Sequence, residues 1–127
     1  MGQANSAYVQ KSYDEAINLI MEVIRYEPNG HEPYSLLALI YEELGDLEKS
    51  FGYYSIAAHL TPKDAYLWKR LADMSKRLGK TDQTAYYMSK ALRADSNDHA
   101  MVMEYVDLLK SLKRYKKVII EIFYPSL

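Results

Sequence analysis

The feature that most constrains this chain is a 34-residue period. Gly45 and Gly79 stand 34 positions apart, and so do Pro28 and Pro62. Tyr34 and Trp68, Leu37 and Leu71, Ala38 and Ala72, Tyr53 and Tyr87, and Ala57 and Ala91 keep the same step. Ala16, Ser50, Thr84 and Val118 fall in one further series. Helix breakers, small residues and aromatics in one frame imply a stacked array. Each copy of its structural unit buries an apolar face on its neighbours.

Each unit reads as two helices. Tyr34, Leu37, Ala38, Tyr41 and Leu44 follow helical i, i+3, i+4, i+7 spacing. Gly45 suits the left-handed residue that closes a helix, having no Cβ to clash. Phe51, Tyr54, Ala57, Ala58 and Leu60 repeat the pattern before Pro62, which cannot continue the helix. Ala38 and Ala57 are expected where the two helices of one hairpin cross, since only small side chains let the backbones approach. Tyr34, Leu37 and Tyr54 are expected to fill the space between hairpins. "SYDE", Ser12 to Glu15, reads as a capping box opening a helix.

This aromatic, Leu, small, Tyr, Gly, Ala, aromatic, Ala, Pro grammar resembles the tetratricopeptide repeat (TPR). The resemblance is strong over residues 29–62 and good over 63–96. It is partial over 1–28 and weak over 97–127, where Lys113 occupies the glycine position and Tyr105–Val106 replace Leu–Ala. Pro125 occupies a small-residue position, so the last helix is expected to stop near Tyr124. The implied fold is an all-α, right-handed solenoid fragment of about four helical hairpins in a single domain, residues 1–127.

Longer strings carry a narrower resemblance. "EPYSLLALIYEELGDLEKS" and "IAAHLTPKD..LWKRLADMS", with "GQAN..YVQ" and "EAI..IMEVIR..P" before them, resemble the TPR subunits of the RNA polymerase III transcription factor TFIIIC. The similarity covers roughly residues 2–79. It implies a nuclear scaffold whose partners are other TFIIIC subunits and subunits of TFIIIB. The alternative is a TPR adaptor that binds a peptide in another complex.

Composition narrows the function classes. Charge is nearly balanced, with 16 Lys and Arg against 17 Asp and Glu. That argues against sequence-specific nucleic-acid contact, for which a basic footprint is expected. Charge is unevenly placed: residues 1–64 carry 4 basic and 10 acidic side chains, residues 65–127 carry 12 and 7. There is no cysteine, hence no disulfide or thiolate metal site. No apolar run reaches the ~20 residues of a membrane helix. The opening "MGQANSAYVQ" lacks the basic and apolar regions of a secretory signal. Its first six residues satisfy the loose myristoylation pattern, but a helix start is the preferred reading.

Nothing in the sequence has the pattern of an active site. His31, His59 and His99 lack metal-ligand spacing. No Gly-rich phosphate loop or G-x-S-x-G is present. A non-enzyme needing no cofactor is expected.

In a TPR-like array the first helix of each hairpin lines a groove, and the residues not used by the core face it. These are Glu32, Ser35, Leu39, Glu42 and Glu43 in one unit and Tyr66, Lys69, Arg70, Asp73, Lys76 and Arg77 in the next. Met103, Asp107 and Lys110 follow in the fourth. Two readings compete: an electropositive wall for an acidic partner, or intramolecular pairing of Glu42 and Glu43 with Lys76 and Arg77. The second carries more weight. The carboxylate clamp of TPR chaperone adaptors is not matched, with Asn5 alone in the first unit and Ser35, Leu36 and Leu39 beside Glu32 in the second. Lys110, Lys113, Arg114, Lys116 and Lys117 around Tyr115 read as a solvated turn between two helices. Apolar residues Ile17, Ile20 and Ile24, and Val118 to Tyr124, are expected to drive self-association through the array's ends.

Overall fold

The computed structural model describes the backbone of residues 2–123 and the side chains of residues 10–112. Six helices follow in order: α1 (Gly2–Tyr26), α2 (Glu32–Glu43), α3 (Leu47–Leu60), α4 (Ala65–Arg77), α5 (Thr81–Ala94) and α6 (His99–Phe123). No strand occurs among the described residues. α2 packs on α3 and α4 on α5, as two antiparallel pairs. α3 then packs on α4, α1 on α2, and α5 on α6, so each helix meets its chain neighbours.

The turn inside each pair is made by the period's own glycine. Gly45 has φ 84° and Gly79 φ 73°, both left-handed. The Gly45 N–H donates to the Glu42 carbonyl and the Asp46 N–H to the Tyr41 carbonyl, at 3.0 and 2.8 Å. The Gly79 and Lys80 amides repeat this with the Lys76 and Ser75 carbonyls at 3.0 and 2.8 Å. This is the Schellman arrangement, which satisfies carbonyls that a helix end leaves unpaired. Asp46 then caps α3, its carboxylate accepting from the Lys49 amide at 3.1 Å.

The glycine positions of the period are 11, 45, 79 and 113, and they hold Lys, Gly, Gly and Lys. Helices break at both glycines and run on through both lysines. A residue with a Cβ pays roughly 1–2 kcal/mol in the left-handed region, so the chain there keeps helical geometry. This corrects two expectations. Ser12–Glu15 lies inside α1, so no capping box opens a helix there. Lys110–Lys117 is no turn, because α6 is one 25-residue helix from His99 to Phe123. The expected stop near Tyr124 and the Pro125 position lie outside the described residues.

The core follows the repeat grammar. Ala38 and Ala57 are fully buried at 0%, and their counterparts Ala72 and Ala91 are buried at 1% and 0%. Close approach of α2 and α3 lets the Ser50 hydroxyl donate to the Ala38 carbonyl at 2.7 Å. Thr84, one period on, meets the Ser75 hydroxyl at 2.7 Å. The aromatics of the first helices also share a task. Tyr34 donates its hydroxyl to the Pro28 carbonyl at 3.0 Å, and Trp68 donates its indole N–H to the Pro62 carbonyl at 2.8 Å. Each ties its helix to the proline loop before it. Trp68, Tyr54, Leu37 and Leu71 are almost wholly buried.

Candidate functional site

The loops at Gly30 and Lys63 lead into α2 and α4, whose first residues line one cavity together with Tyr54 of α3. Between them lies an open cavity of about 380 Å³, lined by His31, Glu32, Ser35, Leu36, Leu39, Tyr54, Asp64, Tyr66 and Leu67. Of the residues expected in the groove, Glu32, Ser35, Leu39 and Tyr66 meet here. Leu36, Leu39 and Tyr66 are exposed at 50%, 45% and 62%. A second cavity of about 450 Å³ adjoins it, shares His31, Glu32 and Leu36, and reaches Ile20, Val23 and Glu27. The groove therefore runs from α1 across α2 to α4 with apolar walls and carboxylates at its rim. Asp64 is already engaged, its carboxylate accepting from the Tyr66 amide at 3.0 Å.

Of the remaining expected residues of these two units, all but Glu43 form ion pairs. Arg70 reaches both oxygens of the Glu42 carboxylate. Lys69 lies between Asp98 at 2.7 Å and Asp95 at 3.3 Å. Lys76 meets Glu104 at 2.5 Å, and Arg77 meets Asp73 of its own helix at 3.9 Å. Glu43 is exposed on the same helix end as Glu42. The pairing is intramolecular, but its partners differ from those expected. Glu42 and Lys76 are equivalent positions, so their side chains point the same way from neighbouring helices rather than at each other. The residue that faces Glu42 is Arg70, 28 positions on, and the residue that faces Lys76 is Glu104, again 28 on.

These contacts set the charge states. Burial works against the Arg70 charge, but the Glu42 carboxylate and the Tyr54 hydroxyl hold its pKa above the usual value. Burial raises the Tyr54 phenol above its usual range, with Arg70 opposing. A hydrogen bond to Asp98 raises Lys69, and the same bond lowers Asp98. Lys69, Arg70, Lys76 and Arg77 of the expected electropositive wall thus each have a carboxylate partner.

In the fourth unit Met103 is 63% exposed. Asp107 lines a third cavity of about 450 Å³ with Lys76, Thr84, Met88 and Glu104. Lys110 is exposed. The side chains of Asn5, of Lys113 to Lys117 and of Val118 to Tyr124 lie outside the described residues. No helix of the structure is long and apolar enough to cross a membrane, among the described residues. Nor do the described residues contain a group of three or more His, Cys, Asp or Glu able to hold a metal ion.

His31, Leu36, Tyr54, Asp64 and Leu67 also line the groove, and periodicity alone does not reveal this. Tyr54 and Leu67 carry the signature of core residues. Asp64 carries that of a cap and His31 that of a loop. A tyrosine at a slot that is Ile20 one period before and Met88 one period after is the one hint available in the sequence.

No protein-family model matches the chain. The chain is 39% identical over 116 residues to General transcription factor 3C polypeptide 3 of Homo sapiens, covering 91% of this chain and 13% of that protein. It is 29% identical over 117 residues to the Transcription factor tau 131 kDa subunit of Saccharomyces cerevisiae, covering 92% of this chain and 11% of that protein. The chain thus spans roughly an eighth or less of these relatives' length. Among solved structures it resembles the first TPR of Spaghetti (RPAP3) bound to HSP90 peptide SRMEEVD. That match has TM-score 0.59 and 18% identity, and covers 88% of this chain and 91% of that one. This likeness concerns the fold.

Proposed function

We propose a scaffolding role in RNA polymerase III transcription for this chain, which is a tetratricopeptide-repeat segment of the kind found in the TPR subunits of TFIIIC. It is a protein–protein interaction surface that helps assemble TFIIIC in the nucleus and receives subunits of TFIIIB. The observation that carries the reading is the groove between α2 and α4. Its walls leave Leu36, Leu39 and Tyr66 uncovered on a chain 39% identical to a named transcription-factor subunit. Uncovered apolar side chains gathered along a groove are the ordinary signature of a protein-binding surface.

The residues expected in the groove divide its work. Glu32, Ser35, Leu39 and Tyr66 contact the partner. Glu42, Lys69, Arg70 and Lys76 hold the first helices in the register that keeps the groove open, Asp73 and Arg77 pair along the face of α4, and Glu43 lies at the groove's edge. The apolar surface of α1, where Leu19, Val23 and Tyr26 are exposed at 69%, 49% and 82%, offers a further contact for another subunit or a second copy.

The test is affinity purification of the full-length protein from nuclear extract, wild type against Leu36→Ser/Leu39→Ser. TFIIIC and TFIIIB subunits are expected with the wild type, and at least one is expected to be depleted with the variant. Recovery of chaperones or another assembly in their place would favour a general TPR adaptor and overturn this reading.

A further inference from the structure

In the closed hairpin of α2 and α3, two contacts mark the crossing. The Ser50 hydroxyl donates to the Ala38 carbonyl at 2.7 Å, and the Tyr41 and Tyr53 rings stack with centroids 5.6 Å apart. Neither α1 nor α6 folds back into such a hairpin, because each runs unbroken through the lysine at which it would turn. Past Lys11, α1 holds the slots of a second helix. Ala16 corresponds to Ser50, Leu19 to Tyr53 and Val23 to Ala57. Before Lys113, α6 holds the slots of a first helix. Val106 corresponds to Ala38 and Leu109 to Tyr41.

The face that a hairpin would close is open on both. Val23 is 49% exposed where Ala57 is 0%, and Val106 is 38% exposed where Ala38 is 0%. Leu19 and Leu109 are exposed as well. The two faces complement each other: α1 is a second helix lacking a first, and α6 is a first helix lacking a second. Laid antiparallel in the register of the closed hairpin, they bring Ala16 to Val106 and Leu19 to Leu109. The bulk that valine adds at the crossing is offset by alanine opposite it, where Ser50 and Thr84 stand in the closed units. Within one chain α1 contacts α2 and α6 contacts α5, so this pairing joins two chains. Charge favours it. Residues 1–64 carry 4 basic and 10 acidic side chains and residues 65–127 carry 12 and 7, so the α1 half of one copy attracts the α6 half of another.

We propose that a second copy of this chain completes the hairpin, with α1 of one copy packed antiparallel on α6 of the other, head to tail. Ala16, Leu19 and Val23 of one copy cover Val106 and Leu109 of the other, and the stack of helical hairpins continues across the junction. The contact uses two different surfaces, so each added copy leaves one of each open. This assembly goes beyond the scaffold reading and does not depend on it.

The test is sedimentation velocity of the intact 127-residue chain at rising concentration. Wild type, Val23→Glu, Val106→Glu and an equimolar mixture of the two variants are compared, each checked for helix content by circular dichroism. Both valines are exposed, so the variants are expected to keep their fold. The wild type should grow through dimers to longer species. Each variant alone should associate at least about 100-fold more weakly, because the contact would bury a carboxylate without a partner. The mixture should form a 1:1 dimer that grows no further, since Val23→Glu keeps its α6 face and Val106→Glu keeps its α1 face. Undiminished association of either variant alone would place the contact elsewhere and overturn the proposal. A wild type that stays monomeric at every concentration, or a mixture that stays monomeric, would overturn it too, and would leave the scaffold reading standing.

Discussion

Glu42 at the end of α2 pairs with Arg70 in α4, and the same two slots one period on hold Lys76 and Glu104, paired with the signs exchanged. The repeat thus keeps the geometry of the contact and reverses its polarity. The reversal has a consequence for stacking order. If α2 met α6 directly, skipping one hairpin, Glu42 would face Glu104. Like charges in contact disfavour that assembly, so the alternation works against misregistered stacking.

The two pairs should differ in weight. The Glu42 and Arg70 side chains are 22% and 26% exposed, against 47% and 51% for Lys76 and Glu104. Arg70→Glu is expected to cost roughly 2 kcal/mol, because it leaves two carboxylates facing in a partly buried site. Glu42→Arg/Arg70→Glu should recover at least half of that loss. Lys76→Glu should cost under about 1 kcal/mol, as exposed pairs do. Urea melts arranged as a double-mutant cycle measure this. Additive effects at Glu42 and Arg70 would deny the coupling.

The glycine positions make a second prediction. An added Cβ at Gly45 or Gly79 would meet nothing within 4 Å, so the cost of substitution is backbone strain alone. Gly45→Ala and Gly79→Ala should each cost about 1–2 kcal/mol, with Gly45→Val costing more. Lys11→Gly, at the equivalent place inside α1, should instead cost about 1 kcal/mol through lost helix propensity and lower the helical circular dichroism signal. Equal or improved stability for either alanine variant would refute the left-handed requirement.

A third prediction concerns pH. Asp98 is held below its usual range by Lys69, so its folded pKa lies under the unfolded value of about 3.9. Its contribution to stability is therefore present above about pH 4 and lost as pH falls through the folded value. Lys69 is raised by the same partner. Its contribution is full below the unfolded pKa of about 10.4 and is lost as pH rises through the folded value. Asp98→Asn keeps an acceptor for the Met101 amide but removes the charge. Thermal midpoints against pH should then fall less steeply below pH 4 for the variant than for the wild type. Identical acid limbs would mean that the pair adds nothing to stability.

A fourth prediction tests the tie between the first helices and the proline loops. Tyr34→Phe and Trp68→Phe each remove a donor to a proline carbonyl. Tyr34→Phe should cost about 1 kcal/mol, the net worth of one hydrogen bond. Trp68→Phe should cost more, since Trp68 is 1% exposed and its replacement leaves a cavity. Chemical denaturation of both variants gives the comparison, and a larger loss at Tyr34 would contradict it.

The sequence by itself determined the four central helices, α2 to α5, with their turns and the core. Each rests on local chemistry that repeats: Gly45 and Gly79 supply left-handed geometry, Pro28 and Pro62 end helices, and Ala38 and Ala57 let helices cross. Even the two unbroken helices are legible afterwards, because Lys11 and Lys113 stand where a break would need glycine. The tertiary structure alone decided which side chains face each other between units. A 34-residue period locates equivalent residues, and equivalent residues point in parallel rather than toward one another. Glu42 of α2 finds its partner in Arg70 of α4 rather than in Lys76. The groove was settled in the same way. The spacing that marks Tyr54 as a core ring concerns its apolar face, whereas its place at the cavity wall, with the Arg70 guanidinium over its ring, depends on how α2, α3 and α4 come together.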